Sequence, residues 1–248
     1  MAFTIAAFYE STTAAVTTYT IQGLADPHIR VSGADVWIPG ALPQLAAYYA
    51  LGATVTLARI ESPTLRTLTP IDVIPIELST EPGSPPTFVY AGHAPKLVGG
   101  GEALNFKFTS TAADVLFGLV WLSDGPVAPV TGEIFTVKAT ASATLTAKAW
   151  TNAAITFAQT LPKGRYQVVG MRAKSAGLIA ARLVLPGYAW RPGVIGCDAY
   201  NDLERPEFRH GRAGVFGEFD HDVPPTVDFL SISADTSEEV WLDLIKIA

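Results

Sequence analysis

The stretch LNFKFTSTAADVLFGLVWL, residues 104–122, alternates apolar and polar side chains before it becomes almost continuously apolar. Leu104, Phe106 and Phe108 fall on one side of an extended chain, and the polar residues between them fall on the other. This period of two predicts a β-strand with one buried face. The apolar run that follows predicts a second strand at residues 115–122.

Short segments of the same kind recur along the chain, rich in Thr, Val, Ile and aromatic residues and separated by Pro and Gly. Only residues 42–52, LPQLAAYYALG, predict a short helix. Residues 2–19 are expected to be either a first β-strand or an arm that lines a larger assembly or swaps to a neighbour. The remaining pattern predicts an all-β fold of the sandwich or barrel type. Its strands are predicted at residues 34–38, 54–61, 71–78, 104–110, 115–122, 134–141, 154–159, 166–173, 178–185, 212–218, 227–233 and 239–247.

Composition excludes several functional classes. The chain has 248 residues, 49% of them hydrophobic and 16% charged, with 17 Lys+Arg against 23 Asp+Glu and a net charge of −6. The basic residues are scattered, whereas direct binding of nucleic acid requires a clustered basic patch. The single cysteine, Cys197, excludes an intrachain disulfide and is expected to be an inert buried thiol. The first twenty residues lack the basic start of a secretory signal.

An internal duplication organises the chain. Residues 58–60 (ARI) precede Pro63, and residues 181–183 (ARL) precede Pro186 at the same distance from the arginine. Further matches surround this one in the same order, with nearly equal spacing. They are Leu42-Pro43 with Tyr48 and Gly52 against Leu161-Pro162 with Tyr166 and Gly170; Pro70 against Pro192; Leu104-Asn105-Phe106 against Val227-Asp228-Phe229; Thr111-Ala112-Ala113-Asp114 against Ser233-Ala234-Asp235; and Trp121-Leu122 against Trp241-Leu242.

The repeated unit is a whole domain, because its period of about 120 residues far exceeds that of solenoid repeats. The segment SDGPVAP, residues 123–129, is rich in Pro and Gly and marks the seam. The sequence predicts a first domain at residues 1–125 with an N-terminal arm at about 1–20, a linker at 126–132 and a second domain at 133–248.

A tandem of two similar all-β domains resembles the double jelly-roll major capsid proteins of tailless icosahedral bacteriophages with an internal membrane. The paired ARI and ARL elements, the paired Trp-Leu ends and residues 161–193 carry this resemblance. It implies two tandem jelly rolls with one topology, no enzymatic activity and no cofactor. It also implies a homotrimer that forms a pseudo-hexagonal capsomer of a virion, assembled in the host cytoplasm. The implied partners are neighbouring capsomers, minor or penton capsid proteins and an internal membrane or its proteins, without specific nucleic-acid binding.

Two other functions remain open on the sequence alone. One is a tandem carbohydrate-binding or lectin-like protein, in which some of the tryptophans (Trp37, Trp121, Trp150, Trp190 and Trp241) stack on sugars. The other is a phage tail or baseplate component. We favour core or interface roles for these tryptophans, because Trp121 and Trp241 occupy matching positions in the duplication.

The sequence predicts no catalytic, cofactor-binding or metal-binding residues. Asp220-His221-Asp222 is expected to be a polar surface loop, since adjacent residues of an extended chain point to opposite faces; His28, His93 and His210 are scattered. Glu204, Glu207 and Glu218 are expected to be surface charges rather than a glycosidase pair. Ser84 lies in a Pro-rich turn, and Gly99-Gly100-Gly101 lacks the Lys-Ser/Thr of a phosphate loop.

The repeated arginines lie inside apolar strands, where a charge must be paired or reach solvent. Arg59 and Arg182 either extend outward at a strand edge or form a repeated ion pair. Asp114 and Asp235 recur in register with them, so the pairs Arg59–Asp114 and Arg182–Asp235 are the sharper expectation.

Overall fold

Strands form nearly all the regular structure. The computed structural model describes residues 2–68, 70–73, 88–197 and 206–248, which include one short helix, α1 (Pro63–Leu68), and one 3-10 turn, Pro206–Phe208. The predicted all-β class is confirmed. Within these residues, no helix has the length and apolar character needed to cross a membrane.

The chain divides into two compact units. The N-unit comprises Ile5–Pro126, and the C-unit comprises Val127–Ala248 together with residues 2–4 from the start of the chain. The sequence predicts residues 2–4 as part of the first domain, whereas in the structure they pack with the C-unit.

The N-unit contains two antiparallel sheets. One has the order β10-β6-β12-β1-β3 with β9 also on β6, and the other has the order β4-β5-β11-β7-β8 with β2 also on β11. The strands are β1 (Phe3–Ser11), β2 (Val16–Thr20), β3 (Gln22–Gly23), β4 (Val31–Ser32), β5 (Asp35–Trp37), β6 (Gln44–Leu51), β7 (Val55–Glu61), β8 (Ile71–Val73), β9 (Phe88–Tyr90), β10 (Lys96–Leu97), β11 (Ala103–Ser110) and β12 (Val115–Ser123).

The C-unit contains one continuous sheet with the order β17-β16-β19-β14-β13-β20-β15-β18. Its strands are β13 (Phe135–Ala141), β14 (Trp150–Phe157), β15 (Arg165–Lys174), β16 (Leu178–Val184), β17 (Gly193–Ile195), β18 (Gly217–Asp220), β19 (Thr226–Ser231) and β20 (Glu238–Lys246).

The same strand order occurs in both units. The run β6-β12-β1 corresponds to β15-β20-β13, and β8-β7-β11-β2 corresponds to β17-β16-β19-β14. β18 borders β15 as β9 and β10 border β6. These corresponding strands also follow one another in the same chain order in both units, whereas β3, β4 and β5 have no counterpart in the C-unit.

Strand register supports part of the sequence duplication and corrects another part. Trp121 lies opposite Ala47 on β6, and Trp241 lies opposite Arg172 on β15, so the two Trp-Leu ends occupy corresponding strands. The predicted equivalence of Tyr48 and Tyr166 is wrong. Tyr48 lies opposite Val120 in the middle of its strand pair, whereas Tyr166 lies opposite Lys246 near the end of β20.

The predicted helix at 42–52 is instead strand β6. This strand lies between β12 and its partners β9 and β10, and most of its side chains are buried on both faces. A strand covered on both sides shows a continuous apolar run without a period of two, so the Ala-rich pattern resembled a helix.

Two further predictions need adjustment. The expected strand at 212–218 is confined to its end, because β18 begins only at Gly217 and two glycines with positive φ, Gly211 and Gly214, form turns before it. Of the predicted strand 71–78, β8 covers Ile71–Val73, and the rest lies outside the described residues. At the N-terminus, residues 2–19 supply strands β1 and β2, in line with the first-strand alternative.

The strand predicted from alternation at residues 104–110 is confirmed as β11, with one buried face. Leu104, Phe106 and Phe108 are fully buried, while the intervening side chains are partly exposed. Phe106 packs against Phe8 with ring centroids 5.6 Å apart. Gly118 on β12 lets this ring approach, because a Cβ atom there would lie 2.6 Å from Phe106 Cδ2.

Candidate functional site

The repeated arginines form ion pairs, but not with the predicted aspartates. Arg59 Nε lies 2.8 Å from Asp72 Oδ1, and Arg182 Nε lies 3.0 Å from Asp228 Oδ2. The expected pairs with Asp114 and Asp235 are therefore wrong.

The counter-ion comes from a different neighbouring strand in each unit. Arg59 on β7 lies opposite Asp72 on β8, whereas Arg182 on β16 lies opposite Asp228 on β19. The strand on the other side of Arg182 carries Gly193, where a Cβ atom would lie 2.5 Å from Arg182 Cα. An acidic side chain would not fit at position 193, so the counter-ion of Arg182 comes from β19 on the other side.

The two arginines also differ in exposure. The Arg59 side chain is 36% exposed, whereas that of Arg182 is 0% exposed. The guanidinium of Arg182 lies 4.0 Å from the centre of the Trp150 ring, and Asn152 Nδ2 donates to Asp228 Oδ1 at 2.8 Å. Arg182 thus belongs to a buried polar network, which fits a structural role rather than a ligand-binding one.

Asp114 organises the turn between β6 and β7. The backbone N–H groups of Ala53 and Thr54 donate to its carboxylate at 3.1 and 2.6 Å, and the Thr54 hydroxyl donates at 2.9 Å. The backbone N–H of Val115 donates at 2.7 Å.

Asp235 does the same for the turn between β15 and β16. The backbone N–H of Ala176 and the hydroxyl of Ser175 donate to Asp235 Oδ2, and the backbone N–H of Thr236 donates to Oδ1 at 2.8 Å. The hydrogen bond from Ser175 is the largest cause that lowers the pKa of Asp235. The two aspartates recur in the sequence because each holds a corresponding turn.

A carboxylate that is almost completely buried lies on β20. Asp243 accepts hydrogen bonds from Thr136 Oγ1 at 2.6 Å, the His210 backbone N–H at 3.0 Å and Arg209 Nε at 3.1 Å. Burial opposes ionisation of Asp243, but these donors and the charge of Arg209 lower its pKa. The network ties the segment around Arg209 to the sheet.

Cations cover a face of three tryptophan rings. Arg30 lies 4.6 Å from the Trp37 ring centre, Arg182 covers Trp150, and Lys138 and Arg172 lie 5.2 and 5.4 Å from that of Trp241. Trp121 is 1% exposed. These four rings are poorly placed as platforms for a sugar, whereas Trp190 lines a pocket.

The other candidate groups are dispersed. His221 Nδ1 lies 3.9 Å from Asp222 Oδ1, and residues 2–68, 70–73, 88–197 and 206–248 contain no group of three or more His, Cys, Asp or Glu able to hold a metal ion. Glu218 pairs with Arg165 at 2.8 Å. Cys197 is buried.

The remaining sequence candidates carry no site geometry. Gly99 and Gly101 adopt positive φ in the turn before β11, and the Gly101 N–H donates to Ile38 O, as expected of a flexible turn rather than a phosphate loop. Ser84 and Glu204 lie outside the described residues.

An apolar pocket of about 270 Å³ in the C-unit was not anticipated. It is lined by Ala2, Phe3, Tyr188, Trp190, Pro192, Val215, Phe216 and Gly217. Phe3 packs edge-on against Phe216 at 4.9 Å, and the Arg191 N–H donates to Thr4 Oγ1 at 3.2 Å. No sequence pattern indicated this pocket, because its walls come from three distant segments.

No known protein family matches the chain, and no curated protein matches it. Among solved structures, the crystal structure of the major capsid protein P2 from bacteriophage PM2 is similar at 12% sequence identity. The match covers 99% of this chain and 98% of that one, with a TM-score of 0.26.

Proposed function

We propose that this protein is a structural virion protein, the major capsid protein of a tailless icosahedral bacteriophage, built from two jelly rolls. A jelly roll has eight antiparallel strands in two sheets and is common among capsid proteins. In the N-unit, one sheet of the proposed jelly roll would be β6-β12-β1 with β9 and β10 beside β6, and the other would be β8-β7-β11-β2. In the C-unit, the corresponding sheets would be β18-β15-β20-β13 and β17-β16-β19-β14. The observation that carries the proposal is this order, which occurs twice in one chain.

A duplicated barrel suits a shell because of symmetry. Three chains of two barrels place six similar bodies around one threefold axis and so imitate hexagonal packing. We therefore propose a homotrimer that forms pseudo-hexagonal capsomers. Neighbouring capsomers, minor or penton proteins and an internal membrane or its proteins would be its partners.

The charge distribution supports a role in protein contacts rather than in genome binding. The net charge is −6, and several basic side chains are paired with acidic ones, so the chain offers no excess of positive charge to neutralise phosphates. The ion pairs include Arg59–Asp72, Lys107–Glu61, Lys138–Glu239, Arg165–Glu218, Arg182–Asp228 and Arg209–Asp243. The low charge content of 16% also fits large interfaces, whose centres are depleted of charge.

The pocket beside Trp190 favours one alternative. An aromatic wall next to the exposed Tyr188 is the kind of surface on which a sugar ring stacks, so a lectin-like function is the second candidate. A phage tail or baseplate component, built from similar β-domains, is a further alternative that no particular contact favours.

Solution mass separates the first two candidates. Light scattering of the purified protein at micromolar concentration should give about three times the chain mass of 26.3 kDa, or larger arrays. Glycan-array binding should be absent. A stable monomer that binds glycans, and loses that binding on Trp190→Ala, would overturn the capsid proposal.

A further inference from the structure

We propose that Glu238 is a proton-operated clamp within the C-unit. With its carboxyl group protonated, Glu238 holds the connection between β13 and β14, residues 142–149, against the start of β20. Loss of this proton loosens the connection. The inference does not depend on the proposed capsid function, and it gives a role to a buried carboxyl group that the ion pairs of the protein leave out.

The Glu238 side chain is removed from water with few hydrogen-bond donors around it. Glu238 is the first residue of β20 and is 1% exposed. Its Oε1 atom is buried without a hydrogen-bond partner, and its Oε2 atom accepts one long hydrogen bond, 3.4 Å from the backbone nitrogen of Ala143. A buried carboxylate normally requires several donors or a cation. The neutral, protonated form therefore suits this environment better than the ionised form.

Strand register places the nearest lysines on the opposite face of the sheet. Glu238 lies opposite Ala141 on β13, and both side chains are buried. The next residue, Glu239, points to the other face, because successive side chains of a strand alternate. There it lies opposite Lys174 on β15 and forms an ion pair with Lys138 on β13. These two cations are thus on the face of Glu239.

The remaining charges near Glu238 do not neutralise it. Arg172 on β15 lies opposite Trp241, which shares the face of Glu239. Lys148, near the end of the 142–149 connection, donates its backbone N–H to β19. The charge that acts on Glu238 is that of Asp235, in the turn between β19 and β20. Burial is the largest cause that raises the pKa of Glu238, and this like charge raises it further.

The turn that carries Asp235 also anchors the connection between β13 and β14. The backbone N–H of Leu145 donates to the backbone oxygen of Asp235 at 2.8 Å, and Ser175 and Ala176 hold the Asp235 carboxylate. Ionisation of Glu238 adds a second negative charge beside this turn. Because like charges repel strongly where water is excluded, the anchor of Leu145 weakens. The proton on Glu238 thereby controls how firmly the connection is held.

Infrared spectroscopy tests the protonation, since the carbonyl stretch of a protonated carboxyl group differs from that of a carboxylate. As the pH rises from about 4, the last protonated-carboxyl band to disappear should be the one that Glu238→Gln removes. The matched control Glu239→Gln, at the neighbouring position, should leave that band in place. A Glu238 band that disappears together with those of the exposed carboxyl groups would overturn the inference.

Hydrogen exchange at the Leu145 amide tests the clamp. A raised folded-state pKa gives stability that is complete below the unfolded-state value of about 4.3 and is lost as the pH rises through the folded-state value. Wild-type protection, divided by that of Glu238→Gln at the same pH, should fall across this window and then level off. The fall should be about ten-fold for each unit by which the pKa is raised. Glu239→Gln should follow the wild type, and a wild-type ratio that is constant with pH would contradict the clamp.

A bound cation is the competing explanation for a buried carboxyl group. Thermal unfolding with and without millimolar Ca²⁺ should show no stabilisation that depends on Glu238. A midpoint that calcium raises in the wild type but not in Glu238→Gln would overturn the inference, because Glu238 would then be an ionised ligand. The capsid proposal is tested separately by the solution mass, so failure of the clamp would leave it standing.

Discussion

Arg182 lies fully buried on β16, with its guanidinium 4.0 Å from the centre of the Trp150 ring and its Nε 3.0 Å from Asp228 Oδ2. Its counterpart Arg59 pairs with Asp72 at the protein surface. One repeated residue therefore serves two purposes, an interior network in the C-unit and a solvated ion pair in the N-unit.

The two arginines should respond differently to removal. Arg182→Ala leaves the Asp228 carboxylate buried without its cation and exposes a face of Trp150, so we expect a loss of about 3–5 kcal/mol in the free energy of unfolding. Arg59→Ala should change this free energy little, because solvent screens its exposed pair. Urea denaturation of both variants measures the difference, and equal losses would contradict this assignment.

Gly118 should not tolerate a side chain. Its missing Cβ leaves room for the Phe106 ring, so Gly118→Ala should destabilise the protein by about 1–3 kcal/mol through overpacking. Gly125→Ala is the matched control, because nothing lies within 4 Å of a Cβ atom at that position. Thermal unfolding should show a lower midpoint only for the first variant; parallel behaviour of the two would argue against the packing of Phe106.

Asp235 should make stability depend on pH in the acid range. The hydrogen bond from Ser175 lowers its pKa, so its stabilising contribution is complete above the unfolded-state pKa of about 3.9 and is lost as the pH falls through the folded-state value. The difference in stability between wild type and Asp235→Asn should therefore be largest near neutral pH and shrink below about pH 4. Asp222→Asn, at a carboxylate 70% exposed, is the control and should show no such trend.

The Asp220-His221-Asp222 loop should not hold a metal ion. Only His221 and Asp222 approach each other, at 3.9 Å, and a protein site for Zn²⁺ usually requires three or four ligands. Elemental analysis of the purified protein should find no stoichiometric zinc or calcium. A bound ion that Asp222→Asn removes would show that this loop is a site.

The sequence predicted strands with one buried face, such as β11, and also apolar runs rich in Val, Leu and aromatic residues, such as β12. β11 has one buried face, so its period of two was visible, and the recurrent Arg and Trp-Leu pairs lie on corresponding strands. β6 is covered on both faces and lost that period, which is why it resembled a helix.

The contacts of the repeated charges could not be predicted from spacing. The partner of Arg182 depends on which residue the neighbouring strands bring opposite it, and the lack of space at Gly193 decides this. Asp114 and Asp235 recurred for a different reason, since each binds the backbone of a turn. The apolar pocket is lined by segments near residues 3, 190 and 216, so no local sequence pattern could predict it.

The most direct test of the capsid proposal is a cryo-electron microscopy reconstruction of the purified protein, calculated without imposed symmetry. The account predicts a particle with threefold symmetry and six similar β-lobes, in which N-units and C-units alternate around the axis. A monomeric particle, or an assembly whose two lobes per chain differ in strand order, would contradict it.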